Sequence, residues 1–248
     1  MLHEHLDILN RTTHILIKQH CWVLIDEEEH KLYISFRGTD SNDDFLMNFQ
    51  FLTRSFDSEH ETAKVHAGFM KYYSEVKTHI FEIVKAFKEC HEDAKIIING
   101  HSLGGAAAVL CSLDLVTKNV MKSDKVTCVT FGSPMIGNKE FCNLFEQNIT
   151  CSFHIKCGFD IAPRIPIPGL KHVEHTIFIP MKTSGFCDLV NHHSMDTHLY
   201  AIKMRLPWTG KAFKCMNANI CRPPPPKLKY TSNPLQKQPY KQVSTIIL

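Results

Sequence analysis

No stretch of this chain stays apolar over the ~20 positions that a membrane-spanning helix requires, so no segment is expected to cross a bilayer. The ten cysteines, Cys21, Cys90, Cys111, Cys128, Cys142, Cys151, Cys157, Cys187, Cys215 and Cys221, contain no C-x-x-C pair. Cys/His pairs of ligand spacing are also missing, which argues against structural zinc; His192 and His193 near Cys187 are too thin a hint to set against that. No metal and no cofactor is expected. Charge of one sign is scarce as well. Lys and Arg total 28 against 25 Asp and Glu, a net of +3, and no basic stripe interleaves with aromatics, so nucleic acid is excluded as an expected partner. Within the first 18 residues, His3, Glu4, His5, Asp7 and Arg11 interrupt any apolar core that a secretory signal would need. Reduced thiols and an intracellular location are therefore the expectation.

What is present is an ordinary globular composition, 44% apolar and 21% charged over 248 residues, enough for one α/β domain with a tail. The chain is centred on Ile96-Ile97-Ile98-Asn99-Gly100-His101-Ser102-Leu103-Gly104-Gly105-Ala106-Ala107-Ala108. A buried-strand run meets G-x-S-x-G and passes at once into a small-residue helix pattern, the order of a nucleophile elbow. Such a turn strains the serine backbone and needs neighbours without bulk, which Gly100 and Gly104 supply. Ser102 is the candidate nucleophile, and the Leu103 N–H at the helix start is one candidate oxyanion donor.

Residues 1–20 read as a weakly amphipathic helix and a polar turn. Residues 21–26 and 31–37 read as a hairpin across Glu27-Glu28-Glu29-His30. The second strand ends in Gly38-Thr39, at the carboxyl end where open α/β sheets place their sites, and Thr39 is the candidate second oxyanion donor. The segment 42–52 crowds Phe45, Leu46, Met47 and Phe49 into a short connection, either a cover over an apolar cleft or a core helix. Residues 54–64 are polar and expected to be a mobile connector.

Helical periodicity over 70–90, a strand over 95–99, a helix to about 119 and a strand over 125–131 alternate as a parallel sheet with helices on both faces would. A helix over 138–147, a strand over 151–157 and a strand over 173–180 follow. Asp160, on the loop leaving the strand 151–157, is the candidate acid that orients a histidine. The general base must come late and on a loop or helix start; His172 and His175 open a strand, and His192, His193 and His198 are not separable by spacing.

No acid follows Asp196, while nine Lys and Arg accumulate around Arg222-Pro223-Pro224-Pro225-Pro226-Lys227. Residues 1–210 are read as the α/β domain and 211–248 as a basic Pro-rich tail, extended or disordered, with contact to an anionic membrane surface as its functional reading.

Taken in order, Phe36-Arg37-Gly38-Thr39, Asp44-Phe45-Leu46-Met47-Asn48, His66-Ala67-Gly68-Phe69, Gly100-His101-Ser102-Leu103-Gly104-Gly105-Ala106, Phe131-Gly132-Ser133-Pro134, Asp160-Ile161-Ala162-Pro163-Arg164-Ile165-Pro166 and Asp196-Thr197-His198-Leu199-Tyr200 resemble the class 3 (fungal-type) lipases. The resemblance spans about residues 20–205. It implies an α/β-hydrolase fold and a serine lipase or esterase acting on acylglycerol or phospholipid esters through an acyl-enzyme. By the same resemblance His198, followed by Leu and an aromatic, takes the role of base, with Asp160 as acid and Thr39 and Leu103 as oxyanion hole. Phe45 departs from the tryptophan usual at that position in the family. The rival reading is a catalytically silent hydrolase-fold module that binds lipid or protein.

Overall fold

The computed structural model describes residues 12–38, 52–173, 175–181 and 192–205. Seven strands form one sheet, and two short ones form a separate pair. The first three, β1 (Thr13–Ile17), β2 (Cys21–Asp26) and β3 (Lys31–Phe36), are antiparallel. From β3 onward β6 (Lys95–His101), β7 (Val126–Phe131), β8 (Cys151–Cys157) and β9 (Thr176–Ile179) run parallel. The crossovers from β3 to β6, β6 to β7 and β7 to β8 carry α1 (Ala67–Cys90), α2 (Leu103–Thr117) and α3 (Lys139–Asn148) in turn, and α4 (Met195–Arg205) ends the described chain.

The central strands alternate between two interiors. Val126 and Cys128 of β7 join Ile96, Ile98, Leu32 and Ile34 in the larger cluster with α1, α2 and α3. Val129 and Phe131 point the other way, into a smaller cluster with Ile155, Cys157, Ile179 and the α4 residues Ala201 and Ile202. Helices thus cover both faces, as the strand and helix alternation requires. On α1 the apolar stripe is Phe69, Tyr73, Val76, Ile80, Val84 and Phe87, all buried. α2 differs: every residue from Gly104 to Leu115 is buried, because it lies between the sheet and α1.

Two expectations are corrected. The helix read within residues 1–20 is, over Thr13–Ile17, the edge strand β1. Five β-rich residues are too few to display helical period, and Lys18 and Gln19, at φ 47° and 58°, make the left-handed turn that folds β1 back on β2. The polar connector 54–64 is likewise held. β4 (Thr53–Ser55) pairs with β5 (Lys64–His66), and Phe56, buried between them, meets the Phe141 ring at 5.5 Å between centroids. The domain boundary at 210 and the tail 211–248 lie outside the described residues, as does the segment 42–51. None of the seven cysteines among the described residues is disulfide-bonded.

Candidate active site

Ser102 lies between the last residue of β6 and the first of α2, with φ 56° and ψ −124°. A non-glycine residue at positive φ is strained, and the surroundings must impose it. Here they do so through packing: a Cβ on Gly100 would lie 2.2 Å from the Gly104 carbonyl oxygen, and one on Gly104 would lie 2.3 Å from that of Phe36. Strand and helix close on each other only because both positions are bare. The Ser102 N–H is tied to the Phe131 carbonyl at 2.9 Å, so the serine's backbone is anchored to the neighbouring strand.

The imidazole that reaches Ser102 belongs to His193. Its Nε2 is 2.8 Å from the Ser102 Oγ, and its Nδ1 is 2.8 Å from the Asp160 Oδ1. An ionised carboxylate only accepts, so Nδ1 carries the proton and Nε2 accepts from the serine hydroxyl. All three side chains are buried, Ser102 and His193 at 2% and Asp160 at 1% exposure. Asp160 stands just past β8. Its N–H bonds to the Cys157 carbonyl at 3.0 Å, and its Oδ1 also accepts from the Ala162 N–H at 3.0 Å. Arg164 braces the loop by donating to the Gly158 carbonyl and covering the Phe159 ring. Burial opposes the charge on Asp160, but its contacts with His193 and His198 prevail and hold the carboxyl down at about 2.

Gly132 makes room for this pairing. With φ 53° it turns the chain beyond β7, and a Cβ there would lie 2.3 Å from the Asp160 Oδ2.

The position of His198 differs from the one implied by resemblance. It lies one turn inside α4, four residues after Ser194, and its ring folds back so that Nδ1 donates to the Ser194 carbonyl at 3.0 Å. Its Nε2 faces the Asp160 Oδ2 at 3.3 Å, and its 0% exposed ring contacts Asp160, not Ser102. His193 precedes the helix, on a turn free to present its ring to the sheet edge, and so it is His193 that stands against the serine.

The other late histidines are engaged elsewhere. His192 Nδ1 accepts from the Phe159 N–H at 2.9 Å, and His172 donates to the Pro163 carbonyl at 2.7 Å. His175 lies before β9, 3.4 Å from the Ser152 hydroxyl. Leu103 opens α2, so its N–H has no acceptor within the helix. Thr39 and the segment Phe45, Leu46, Met47 and Phe49 lie outside the described residues. One residue that sequence reasoning passed over is His101, the variable position of G-x-S-x-G. Its Nε2 donates to the His193 carbonyl, and its ring meets that of His193 at a tilt of 36°, 4.6 Å between centroids. The only signal for it was its place beside Ser102.

Residues 33–169, more than half of the chain, match the class 3 lipase family. The chain belongs to that family. A lipase of Rhizopus niveus is 31% identical over 160 residues, 64% of this chain and 41% of that protein. The secreted mono- and diacylglycerol lipase 1 of Fusarium solani is 31% identical over 153 residues, 61% of this chain and 44% of that protein. This class 3 lipase chain thus spans half the length or less of the curated relatives it matches. A solved triacylglycerol lipase, described as having a serine protease triad for its catalytic centre, superposes with a TM-score of 0.66 at 26% identity, over 78% of this chain and 81% of that one. The fold is that of the α/β-hydrolases. The intracellular location expected from the first residues is overturned by this kinship, since the Fusarium relative is a secreted protein and residues 1–11 lie outside the described residues.

Proposed function

We propose that this chain hydrolyses carboxylic esters of lipids, acylglycerols first among them, with Ser102 as nucleophile, His193 as general base and Asp160 as the group that orients the base. The observation that carries the reading is the unbroken relay from the Ser102 Oγ through both nitrogens of His193 to the Asp160 Oδ1, each step 2.8 Å. As the Oγ bonds to the ester carbonyl carbon, its proton passes to the His193 Nε2. Negative charge then gathers on the carbonyl oxygen at the start of α2, where the Leu103 N–H and the helix dipole meet it.

Thr39 is proposed as the second donor. The chain leading to it passes close by, since a Cβ on Gly38 would lie 3.7 Å from the Ser102 Cβ. The imidazolium gives its proton to the departing alcohol. Water, deprotonated in turn by His193, then cleaves the acyl-serine and releases the fatty acid. The acylglycerol preference leans on the relatives' names, lipase and mono- and diacylglycerol lipase.

A fluorophosphonate probe and a short-chain p-nitrophenyl ester test the reading together. The wild type should be labelled and should turn over the ester, while Ser102→Ala should lose both, with a fall on the order of 10⁶ in kcat if the residues act as a unit. A folded wild type that resists the probe would make this a silent scaffold.

A further inference from the structure

Two imidazoles, not one, stand on the Asp160 carboxylate, His193 at Oδ1 and His198 at Oδ2. The proton count at His198 follows from its partners. A carbonyl oxygen only accepts, so the Nδ1 facing the Ser194 carbonyl must carry hydrogen. Were the ring neutral, Nε2 would turn a lone pair toward the Oδ2 of an ionised carboxylate at 3.3 Å, in a site closed to solvent. A second proton on Nε2 turns that repulsion into an ion pair. Neither Oδ2 nor the His198 Nε2 has a hydrogen-bond partner of good geometry among the described residues, so each is left to the other.

We propose that His198 is a positioning residue, a standing imidazolium that holds the second oxygen of Asp160 and thereby sets both the aim and the basicity of His193. The proposal rests on the triad reading above. Its chemical consequence is a division of one negative charge between two rings. With His198 charged, the field that Asp160 offers to His193 is partly cancelled, so the His193 imidazolium formed in acylation is a stronger acid and returns its proton to the leaving alcohol more readily.

The other titratable groups around His198 do not undo this. Cys157, at the end of β8, acts on it electrostatically; His101, at the end of β6, meets its ring edge-on at 5.5 Å; His154, on β8, couples to it only weakly, and Asp196 of its own helix is exposed. Burial works against the His198 charge, but the contacts with Asp160 and Cys157 outweigh it and hold the ring protonated up to about 10. His101 is pushed well below the ordinary histidine range, by burial and by the two neighbouring imidazoles, and remains neutral.

Imidazole ¹⁵N spectra of Ser102→Ala, which need no turnover, provide the test from pH 5 to 9. The resonances of His198 should show both nitrogens protonated throughout. Adding His198→Gln should raise the midpoint of His193 by about one pH unit, the size of effect a nearby charge produces. In the active enzyme the same substitution should move the acid limb of kcat/KM for p-nitrophenyl butyrate upward by the same amount. A purely structural role would lower kcat/KM at every pH without moving the limb. A neutral His198 at pH 7, or a His193 midpoint that stays in place, overturns the proposal. Should the ester not be hydrolysed by any form while the spectra behave as expected, the catalytic reading fails and the positioning role stands. If His198→Gln does not fold, His198→Phe is the second background, and the spectrum of His198 in Ser102→Ala alone still decides its charge.

Discussion

His193 brings its Nε2 to 2.8 Å from the Ser102 Oγ across 91 positions of sequence, and no other imidazole bonds to that hydroxyl among the described residues. This separates two histidines that lie five positions apart. His193→Ala should cost at least ~10⁴ in kcat on a soluble ester, because it removes the proposed base. His198→Gln should retain measurable turnover near pH 8, since Ser102 and His193 keep their contact. Steady-state rates of the two purified variants check the ranking, and the reverse order would mean that His198 reaches the serine in solution.

The bare position at Gly132 is as restrictive as any catalytic group. A methyl there would meet the Asp160 Oδ2 at 2.3 Å and come within 3.2 Å of the His193 Nδ1, on a backbone at φ 53°. Gly132→Ala must therefore displace the carboxylate, and misplacement of a catalytic group by about 1 Å can cost on the order of 10² in rate. We expect that loss in kcat/KM together with a lowered Tm. Wild-type kinetics in this variant would show that the loop 158–164 yields freely.

How far the sequence could be read depends on whether a local signal was enough. The elbow was legible because strand, Gly100-His101-Ser102-Leu103-Gly104 and small-residue helix are contiguous, and each is a local requirement of the same turn. The place of Asp160, on the loop three residues past the end of β8, was legible for a similar reason. The choice among His192, His193 and His198 was not, since it hangs on where α4 begins. With Met195 as its first residue, His198 is inside the helix and rotated onto Asp160, whereas His193 is outside it. A shift of that start by one residue would turn the helix by about 100°, and nothing local marks it to that accuracy. β1 was missed because five residues show no decisive period, and its pairing with β2 is a tertiary fact.

Stability should peak near pH 6.5 and fall on both sides. On the acid side, His101 and His154 are held well below the ordinary histidine range and His172 at about 4, in each case chiefly by burial. Groups with depressed folded pKa values stabilise above the unfolded value of about 6.5, and that contribution is lost as the pH falls toward 4. Asp160, held at about 2, adds a second loss between about pH 4 and 2, roughly 2 kcal/mol. On the alkaline side the sign reverses. The His198 pKa is raised to about 10, so its contribution is complete below about 6.5 and drains away as the pH climbs through 10. The Asp160 and His198 shifts describe one ion pair and are not added. Urea unfolding from pH 3 to 10 should trace this dome, and His198→Gln should flatten its alkaline shoulder. An unchanged shoulder in that variant would assign the alkaline loss to other groups.

Away from the site, the contact between α1 and α2 contains a buried carboxylate whose removal should cost stability and not catalysis. Asp114, 2% exposed, accepts from the Tyr73 hydroxyl at 2.8 Å and pairs with Lys77 at 2.6 Å. Tyr73 is fully enclosed, so Asp114→Ala strands its hydroxyl without a partner and leaves a gap between the helices. An unsatisfied buried hydroxyl costs about 1–3 kcal/mol. The exposed end of Lys77 can turn to water and adds little. For a domain of this size that loss corresponds to a fall of about 2–12 °C in Tm, while kcat/KM at 25 °C should stay within about twofold of wild type. Tyr73→Phe together with Asp114→Ala should be less destabilising than the sum of the two single changes, because the hydroxyl left stranded by one is removed by the other. Thermal melts of the four proteins measure that coupling, and strict additivity would show that the hydroxyl and the carboxylate do not support each other.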